Sequence, residues 1–303
     1  MAFSPDGRIL ATCPPSPSFA KTRLWDTATG NLVNSISNQM RKPLSLAFSP
    51  DSRNLILGYP WTREDVASLE VWELANDDLQ LHEPLRTGRV VKAVAISPDG
   101  QFLAVCATDG DWDTAAGSLS IWDLPNRKQV FTSEDDTGYG SVTFSPDGQQ
   151  LAVWRHGAID LWNVPLRPGD VLAVSMPWGG NVGSLSYSWD GEQLAAVSMS
   201  GLKLLRLADQ TEQPLSSAPR MMATNTIAIS PDGTLIALEE KNVAKQTLLL
   251  VDWAGDVVVQ RIAIPYDIFS LAISTDNSTL AVGGYQRVQL YDAASGNLVT
   301  ELA

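Results

Sequence analysis

VAISPDGQFLAVC, residues 94–106, is the stretch of sequence that decides the fold. Before the turn, apolar residues alternate with small ones, which is the period of a β-strand. The four residues Ser97-Pro98-Asp99-Gly100 then predict a tight turn. Proline presets φ at its second position, aspartate bonds to the local backbone, and glycine is favoured at its fourth. The apolar run 102–105 predicts a returning strand, so the stretch indicates a β-hairpin.

The same hairpin recurs along the whole chain. Its turn aspartates are spaced 42 to 48 residues apart, at Asp6, Asp51, Asp99, Asp147, Asp190, Asp232 and Asp276. A second marker, often Trp followed by an acid, keeps a spacing of 40 to 50 residues, at Trp25, Trp72, Trp122, Trp162, Leu205, Val251 and Tyr291. Two independent markers with one period establish a repeat protein with seven units.

Each repeat reads as four short strands without a helix. Residues 118–122 alternate as a third strand that ends in Trp122, and residues 31–36 read as a fourth strand. One such sheet cannot bury both of its faces, whereas seven stacked around an axis cover one another. The sequence therefore predicts an all-β, seven-bladed β-propeller of four-stranded antiparallel blades, as a single domain over residues 1–303. Blade one lacks most of its first strand, so an N-terminal truncation is the alternative to a ring that closes by packing alone.

The repeats resemble those of the WD40 family. AFSPDGRILATC (residues 2–13) followed by RLWDTATGNLV (residues 23–33) is similar to a family repeat at almost every position. This resemblance implies a non-enzymatic scaffold that binds other proteins or peptides and needs no cofactor. The chain departs from the family in its histidines. Only His82 and His156 are present, so we expect that no blade builds the family's network of His, Ser, Trp and Asp.

Composition narrows the classes of partner and the compartment. The formal net charge of −13 argues against nucleic acid and anionic membrane surfaces, which both need basic patches. Two cysteines, Cys13 and Cys106, are too few for a disulfide framework. No apolar run has the roughly 18 residues that a membrane helix needs. We expect a cytoplasmic protein, although an incomplete N-terminus would weaken that expectation.

Candidate partner-binding residues lie in the loops between second and third strands and in the links between blades. Loop length varies there, and aromatic and arginine side chains are the types that dominate interfaces. The candidates are Trp61, Trp112, Trp178, Arg41, Arg86, Arg220, Tyr266, Asp109, Asp111, Asp113 and Asp135. The alternative interpretation is that each side chain packs over its own blade.

The acidic members of this set have two interpretations. Asp109, Asp111 and Asp113 alternate as calcium ligands do, but Thr114 and Ser120 stand where an EF-hand loop needs glycine and glutamate. With Asp135 they could form an acidic patch for a basic partner. A solvated hairpin tip is the simpler interpretation.

The sequence contains no catalytic motif. It has no Gly-x-Ser-x-Gly elbow, no phosphate-binding glycine loop and no His-Glu-x-x-His or Cys-x-x-Cys pair. We predict no catalytic, cofactor or metal residue. A propeller enzyme of the lactonase type, or the accessory propeller of a peptidase, remains the alternative because propellers host both functions.

Overall fold

The structure is a computed structural model. It describes residues 1–13, 21–37, 41–60, 69–75, 78–82, 84–109, 116–136, 138–164, 173–177, 182–198, 201–214, 222–230, 233–241, 246–253, 255–285 and 287–302. All regular structure within these ranges is β-strand, in seven sheets of four antiparallel strands. In every sheet the strands lie side by side in chain order. The predicted fold class, an all-β, seven-bladed β-propeller with four antiparallel strands per blade, is confirmed.

Four of the blades form one compact unit, which comprises residues 1–37 and 182–303. Blade 1 contains β1 (Ala2–Phe3), β2 (Ile9–Thr12), β3 (Lys21–Asp26) and β4 (Leu32–Ser37). Blade 5 contains β17 (Val182–Tyr187), β18 (Gln193–Ser198), β19 (Gly201–Arg206) and β20 (Thr211–Pro214). Blade 6 contains β21 (Met222–Ile229), β22 (Leu235–Lys241), β23 (Gln246–Asp252) and β24 (Val257–Ile264). Blade 7 contains β25 (Ser270–Ile273), β26 (Thr279–Gly284), β27 (Arg287–Asp292) and β28 (Leu298–Leu302).

The other three blades form the second unit, residues 38–181. Blade 2 contains β5 (Ser45–Phe48), β6 (Asn54–Gly58), β7 (Leu69–Ala75) and β8 (Asp78–Leu81). Blade 3 contains β9 (Val90–Ile96), β10 (Phe102–Thr108), β11 (Gly117–Asp123) and β12 (Lys128–Asp135). Blade 4 contains β13 (Tyr139–Phe144), β14 (Gln150–Arg155), β15 (Ala158–Asn163) and β16 (Val174–Pro177).

Neighbouring blades within each unit share their cores. Blade 5 contacts blade 6, blade 6 contacts blade 7, and blade 7 contacts blade 1 through their first strands. Leu10 and Trp25 of blade 1 pack in one buried cluster with Ala281 and Leu290 of blade 7. Burial of these side chains supplies the stability that a lone four-stranded sheet lacks.

The recurring Ser-x-Asp turn is held by side chains as well as by backbone. In blade 3 the Ser97 hydroxyl donates to Asp99 Oδ1 at 2.5 Å and accepts the N–H of Phe102 at 2.9 Å. The same serine-to-aspartate bond, 2.5–2.6 Å long, occurs at Asp6, Asp51, Asp147, Asp190 and Asp276. The turn at Asp232 lies outside the described residues. These paired bonds explain why the turn sequence recurs.

The acid that follows the third-strand aromatic closes the next turn. Asp26 Oδ1 accepts the backbone N–H of Thr29 at 2.7 Å, and Asp292 Oδ1 accepts that of Ser295 at the same distance. Asp123 accepts the N–H of Asn126 at 2.9 Å. Each carboxylate caps backbone donors that would otherwise lack a partner in the turn, as in an Asx-turn. This role explains the second marker of the repeat.

The third-strand aromatics of blades 1, 3 and 7 each find a different polar partner. Trp25 Nε1 donates to Thr12 Oγ1 at 2.9 Å, and Trp122 Nε1 donates to Ser120 Oγ at 3.1 Å. In blade 7 the hydroxyl of Tyr291 donates to Gln289 Oε1 at 2.7 Å. Buried indole and phenol groups usually have such an acceptor. These bonds satisfy the aromatic groups of blades 1, 3 and 7 without a histidine, whereas the buried Trp162 Nε1 of blade 4 has no hydrogen-bond partner among the described residues.

Blade 2 uses an ionised acceptor for the same purpose. Glu70 Oε2 accepts from Trp72 Nε1 and from the Tyr59 hydroxyl, both at 3.0 Å, and Glu70 Oε1 pairs with the Arg41 guanidinium. The guanidinium also lies over the Tyr59 ring, 3.9 Å from its centroid. The Arg41 side chain is only 7% exposed and that of Glu70 8%. Arg41 is therefore buried in its own blade, in contrast to the exposure expected from the sequence.

The serine bond makes the turn sensitive to acid. Hydrogen bonding from Ser145 lowers the pKa of Asp147 below its usual value, and the equivalent serine does so for Asp51, Asp190 and Asp276. Because the folded-state pKa lies below the unfolded value of about 3.9, the bond stabilises the fold above that pH. Its contribution is lost as pH falls through the folded-state pKa.

In urea unfolding, Ser145→Ala should destabilise the protein at pH 7 and less so at pH 2.

The control for this measurement is Ser37→Ala, at the exposed end of β4. Its effect should be small and equal at the two pH values. An equal loss at pH 7 and pH 2 in Ser145→Ala would show that the carboxylate does not contribute.

The Glu70 network predicts a large, rescuable loss of stability. Arg41→Met leaves the Glu70 carboxylate buried without its countercharge and should cost about 3–5 kcal/mol in the free energy of unfolding. Adding Glu70→Gln removes the charge and keeps an oxygen acceptor for Trp72 and Tyr59, so the double variant should regain more than half of the loss. Urea unfolding measures both effects. A double variant no more stable than Arg41→Met would contradict the proposed cause.

Candidate interaction surface

Each blade has two ends with different connections. Because the four strands form an antiparallel meander, the first-to-second and third-to-fourth turns lie at one end, here called the turn end. The second-to-third hairpins and the links between blades lie at the other, here called the loop end. The sequence places the candidate partner-binding residues at the loop ends.

The structure describes some of these candidates and not others. Trp61, Trp112, Trp178, Arg220, Asp111 and Asp113 lie outside the described residues. Arg86, Tyr266, Asp109 and Asp135 are described, and each lies at or beside the loop end of its blade. Arg86 is exposed in the link between blades 2 and 3. Arg41 is buried within the Glu70 network.

The described acidic candidates lie beside arginines. Arg89 Nε approaches Asp109 Oδ1 at 2.6 Å, and Arg89 NH2 lies 3.4 Å from Glu134 Oε1. Arg155 reaches both Asp135, at 3.3 Å, and the buried Asp160, at 2.8 Å. These pairs offset much of the local negative charge. The described part of the loop ends of blades 3 and 4 is therefore a mixed-charge surface, with Asp109 half exposed.

Tyr266 anchors the loop end of blade 7. Its hydroxyl donates to Gln289 Oε1 at 2.8 Å, the oxygen that also accepts from Tyr291. Partial burial raises the pKa of the Tyr266 phenol well above its usual value, so it remains a donor at neutral pH. The Arg287 guanidinium lies 5.1 Å from the centroid of its ring. Tyr266 therefore packs within its blade, and the Arg287 guanidinium lies over one face of its ring.

Two large aromatic side chains are exposed beside Tyr266. Phe269 is 55% exposed and Tyr285 is 58% exposed. The Phe269 N–H donates to the carbonyl of Gly283 at 2.8 Å, which fixes this link against the hairpin that carries Tyr285. Neither residue is among the candidates that the sequence predicts. The sequence feature that could have identified them is a large aromatic residue in a link and at a hairpin tip, because neither connection needs a large side chain to form.

A third exposed aromatic lies at a turn end. Trp189 is 63% exposed and occupies the second position of the blade 5 turn, where Pro98 stands in blade 3. A Cβ built on Gly233, in the turn of blade 6, would lie only 2.4 Å from the Trp189 backbone nitrogen. The two turns therefore pack tightly, and the indole projects from a fixed backbone. The sequence predicts only a turn for this segment.

The second unit has a cavity at its turn ends, between blades 2 and 3. It has a volume of about 500 Å³. Ile56 and Val71 contribute apolar surface, and Asp51, His82 and Arg127 contribute polar groups. Its size suits a side chain or small ligand, but its lining shows no reactive arrangement.

The described residues contain neither a metal-binding cluster nor a membrane-spanning helix. No three His, Cys, Asp or Glu side chains in these ranges are grouped so that they could hold a metal ion. Likewise, none of the described segments is a helix long and apolar enough to cross a membrane.

Comparison with known proteins identifies WD-repeat relatives. The family model for the WD domain, G-beta repeat (WD40) matches residues 79–113. The small ribosomal subunit protein RACK1 of Drosophila melanogaster is 31% identical over 157 residues, which cover 49% of this chain and 46% of the relative. The WD repeat-containing protein sll1491 of Synechocystis is 26% identical over 148 residues, which cover 48% and 40% of the two chains.

A further relative is the protein groucho of Drosophila melanogaster, 28% identical over 186 residues, which cover 57% of this chain and 23% of groucho. The chain thus spans less than half the length of each of these relatives. The family-model match over residues 79–113 includes the Ser97-Pro98-Asp99 turn, in which the Ser97 hydroxyl donates to Asp99. The resemblance to the WD40 repeat family that the sequence predicts is confirmed.

Proposed function

We propose that this chain is a non-enzymatic scaffold that binds other proteins or peptides through the loop ends of its blades. The observation that carries the proposal is the exposed pair Phe269 and Tyr285 at the loop end of blade 7. Large aromatics are enriched among the residues that dominate interface energetics, and they lose little side-chain entropy on binding. Side chains of this size that stay more than half exposed at one loop end add little buried area to the isolated fold.

The surroundings of this pair favour a protein or peptide partner. Asp267, exposed in the same link, accepts from Gln246 Nε2, and Arg287 contributes a cation. An aromatic centre with polar groups at its margin is the usual composition of a protein interface. The candidates outside the described residues, Trp61, Trp112 and Trp178, belong to the same proposal at the loop ends of blades 2 to 4.

The relatives support the same class of function. RACK1 is by name a protein of the small ribosomal subunit, which is an assembly of several macromolecules. We extend from it to this chain only the general property of binding within assemblies, together with a cytoplasmic location. We propose neither nucleic acid nor membrane as the partner, because the net charge of −13 opposes both.

The proposal is tested by comparing variants at the two ends of the blades. The tagged chain is incubated with extract of the cells that produce it, and captured proteins are quantified by mass spectrometry. Phe269→Ala combined with Tyr285→Ala should weaken binding of the principal partner about 30-fold or more, the equivalent of about 2 kcal/mol. The dissociation constant of that partner, once purified, is measured by surface binding.

The matched control is Trp189→Ala, which removes an equally exposed aromatic from a turn end. It should leave the dissociation constant unchanged. Loss of binding in Trp189→Ala with retention in the double variant would move the site to the turn end. If Trp61→Ala, Trp112→Ala and Trp178→Ala together abolish binding while the blade 7 variant does not, the site lies on blades 2 to 4. Capture of no specific partner would contradict the scaffold function.

A further inference from the structure

The cavity at the turn ends of blades 2 and 3 has apolar walls from both blades. Its volume of about 500 Å³ is within the range of protein sites for ligands. The walls include four side chains of one hydrophobic cluster, namely Ile56, Val71, Leu85 and Leu124. Both blades belong to the second unit, so one compact unit contains the whole cavity.

The junction between blades 3 and 4 shows which kind of side chain fits between two blades. On β12, Phe131 lies opposite Ile121, the residue before Trp122. The Phe131 ring is buried and meets the Trp162 indole of blade 4 edge to face, with 5.5 Å between the ring centroids. An aromatic side chain of the fourth strand thus packs against the third-strand aromatic of the next blade.

His82 has the equivalent position in blade 2. Trp72 pairs with Leu81, and the His82 N–H donates at 2.9 Å to the carbonyl of Val71, the residue before Trp72. The imidazole does not pack as Phe131 does, because 38% of the side chain is exposed and its Nε2 lies 3.3 Å from a carboxylate oxygen of Glu73. His82 therefore lines the cavity at the place where blade 3 has a buried ring.

The rim of the cavity carries an excess of negative charge. Asp51 and Asp99, the turn aspartates of the two blades, line it and are exposed. Each uses Oδ1 for the serine bond of its own turn, and an ionised carboxylate retains acceptor capacity on its second oxygen. Among the described lining residues, Arg127 and a protonated His82 would oppose them. The net charge of −13 adds to the attraction for a cation.

We propose that this cavity is a docking site for a partner peptide that inserts an aromatic side chain next to a lysine or arginine. The ring packs against the apolar walls, as Phe131 packs between blades 3 and 4. The neighbouring basic side chain pairs with Asp51 or Asp99 at the rim. An aromatic anchor in a pocket is a common centre of binding energy at interfaces. The site shares no residue with the loop-end pair Phe269 and Tyr285, so either site can fail its test without the other.

Selection from a displayed library of random peptides tests the proposal. The library is selected on the full chain and, in parallel, on His82→Phe, which gives blade 2 the ring that blade 3 has at Phe131. Peptides that bind the unmodified chain and not the variant should share an aromatic residue beside lysine or arginine. For the strongest of them, His82→Phe should raise the dissociation constant about ten-fold or more. If no peptide distinguishes the two proteins, or if those that do lack this residue pair, the proposal is wrong.

The matched control is His156→Phe, which makes the same replacement at the hairpin tip between β14 and β15 of blade 4. It should leave the dissociation constant of the selected peptide unchanged. Equal weakening by both variants would show that the effect does not come from filling the cavity and would overturn the assignment of the site. Thermal unfolding confirms beforehand that each variant is folded.

A second pair of variants tests the acidic rim and carries the test if His82→Phe does not fold. Asp99→Asn removes one rim carboxylate but keeps an oxygen acceptor for the turn serine, and it should weaken binding of the selected peptide about five-fold or more at low salt. The loss should shrink at high salt because screening weakens the attraction. Asp147→Asn makes the same change in the turn of blade 4 and should have no effect. Equal weakening by both would attribute the loss to net charge and contradict the proposed rim contact.

Phenethylamine distinguishes a peptide site from a site for a small ligand. It carries an aromatic ring and a cationic amine but no peptide backbone. We expect it to displace the selected peptide only at concentrations far above the dissociation constant of the peptide, because it makes few of the same contacts. Phenethylamine that binds as tightly as the peptide would assign the cavity to a small ligand and overturn the proposed peptide.

Discussion

The structure depends on one constraint: a four-stranded sheet has two faces, and a sheet this small cannot cover either alone. Leu10 and Trp25 of blade 1 are buried only because Ala281 and Leu290 of blade 7 pack against them. Every blade is thus stabilised by its neighbours, and stability becomes a sum of blade and interface contributions. The repeat period follows from this constraint, since each unit must present the same two faces to the next.

The constraint applies to faces and turns and leaves the polar partners inside each blade free to differ. The third-strand aromatic has different partners: Thr12, Ser120, Gln289 and Glu70 each provide an acceptor in one blade, and the Trp162 indole of blade 4 has none among the described residues. The ion pair of Arg41 with Glu70 is not a requirement of the fold: blade 4 pairs Arg155 with Asp160 instead, and neutral Ser120 and Gln289 stand at the equivalent position of blades 3 and 7. The Arg41 pair fixes one link against one blade. Individual blades can therefore diverge while the architecture remains unchanged.

This division explains what could be predicted from the sequence. The Ser97–Asp99 bond and the cap at Asp123 are local, so a short motif reveals them and with them the number of blades. The exposed fraction of a side chain depends on tertiary packing, so a short sequence motif does not reveal it. Arg41 and Phe269 both lie in links between blades, yet one is buried against Glu70 and the other is 55% exposed. Only the packing of each link on its blade separates these two outcomes.

Departures from the repeat are consequently where function is to be sought. Large exposed aromatic side chains occupy three connections that the fold could form with small residues: Phe269 in a link, Tyr285 at a hairpin tip and Trp189 in a turn. The exposed aliphatic side chains near the starts of β4, β24 and β28 depart in the same sense, because blades 3 and 5 build the same strand start from polar residues. A side chain that costs solubility and adds nothing to the core persists most readily when something else covers it. The repeats of one chain can thus be compared with one another. A residue type that equivalent positions of other blades do without is not required by the fold, so its presence in one blade points to a partner.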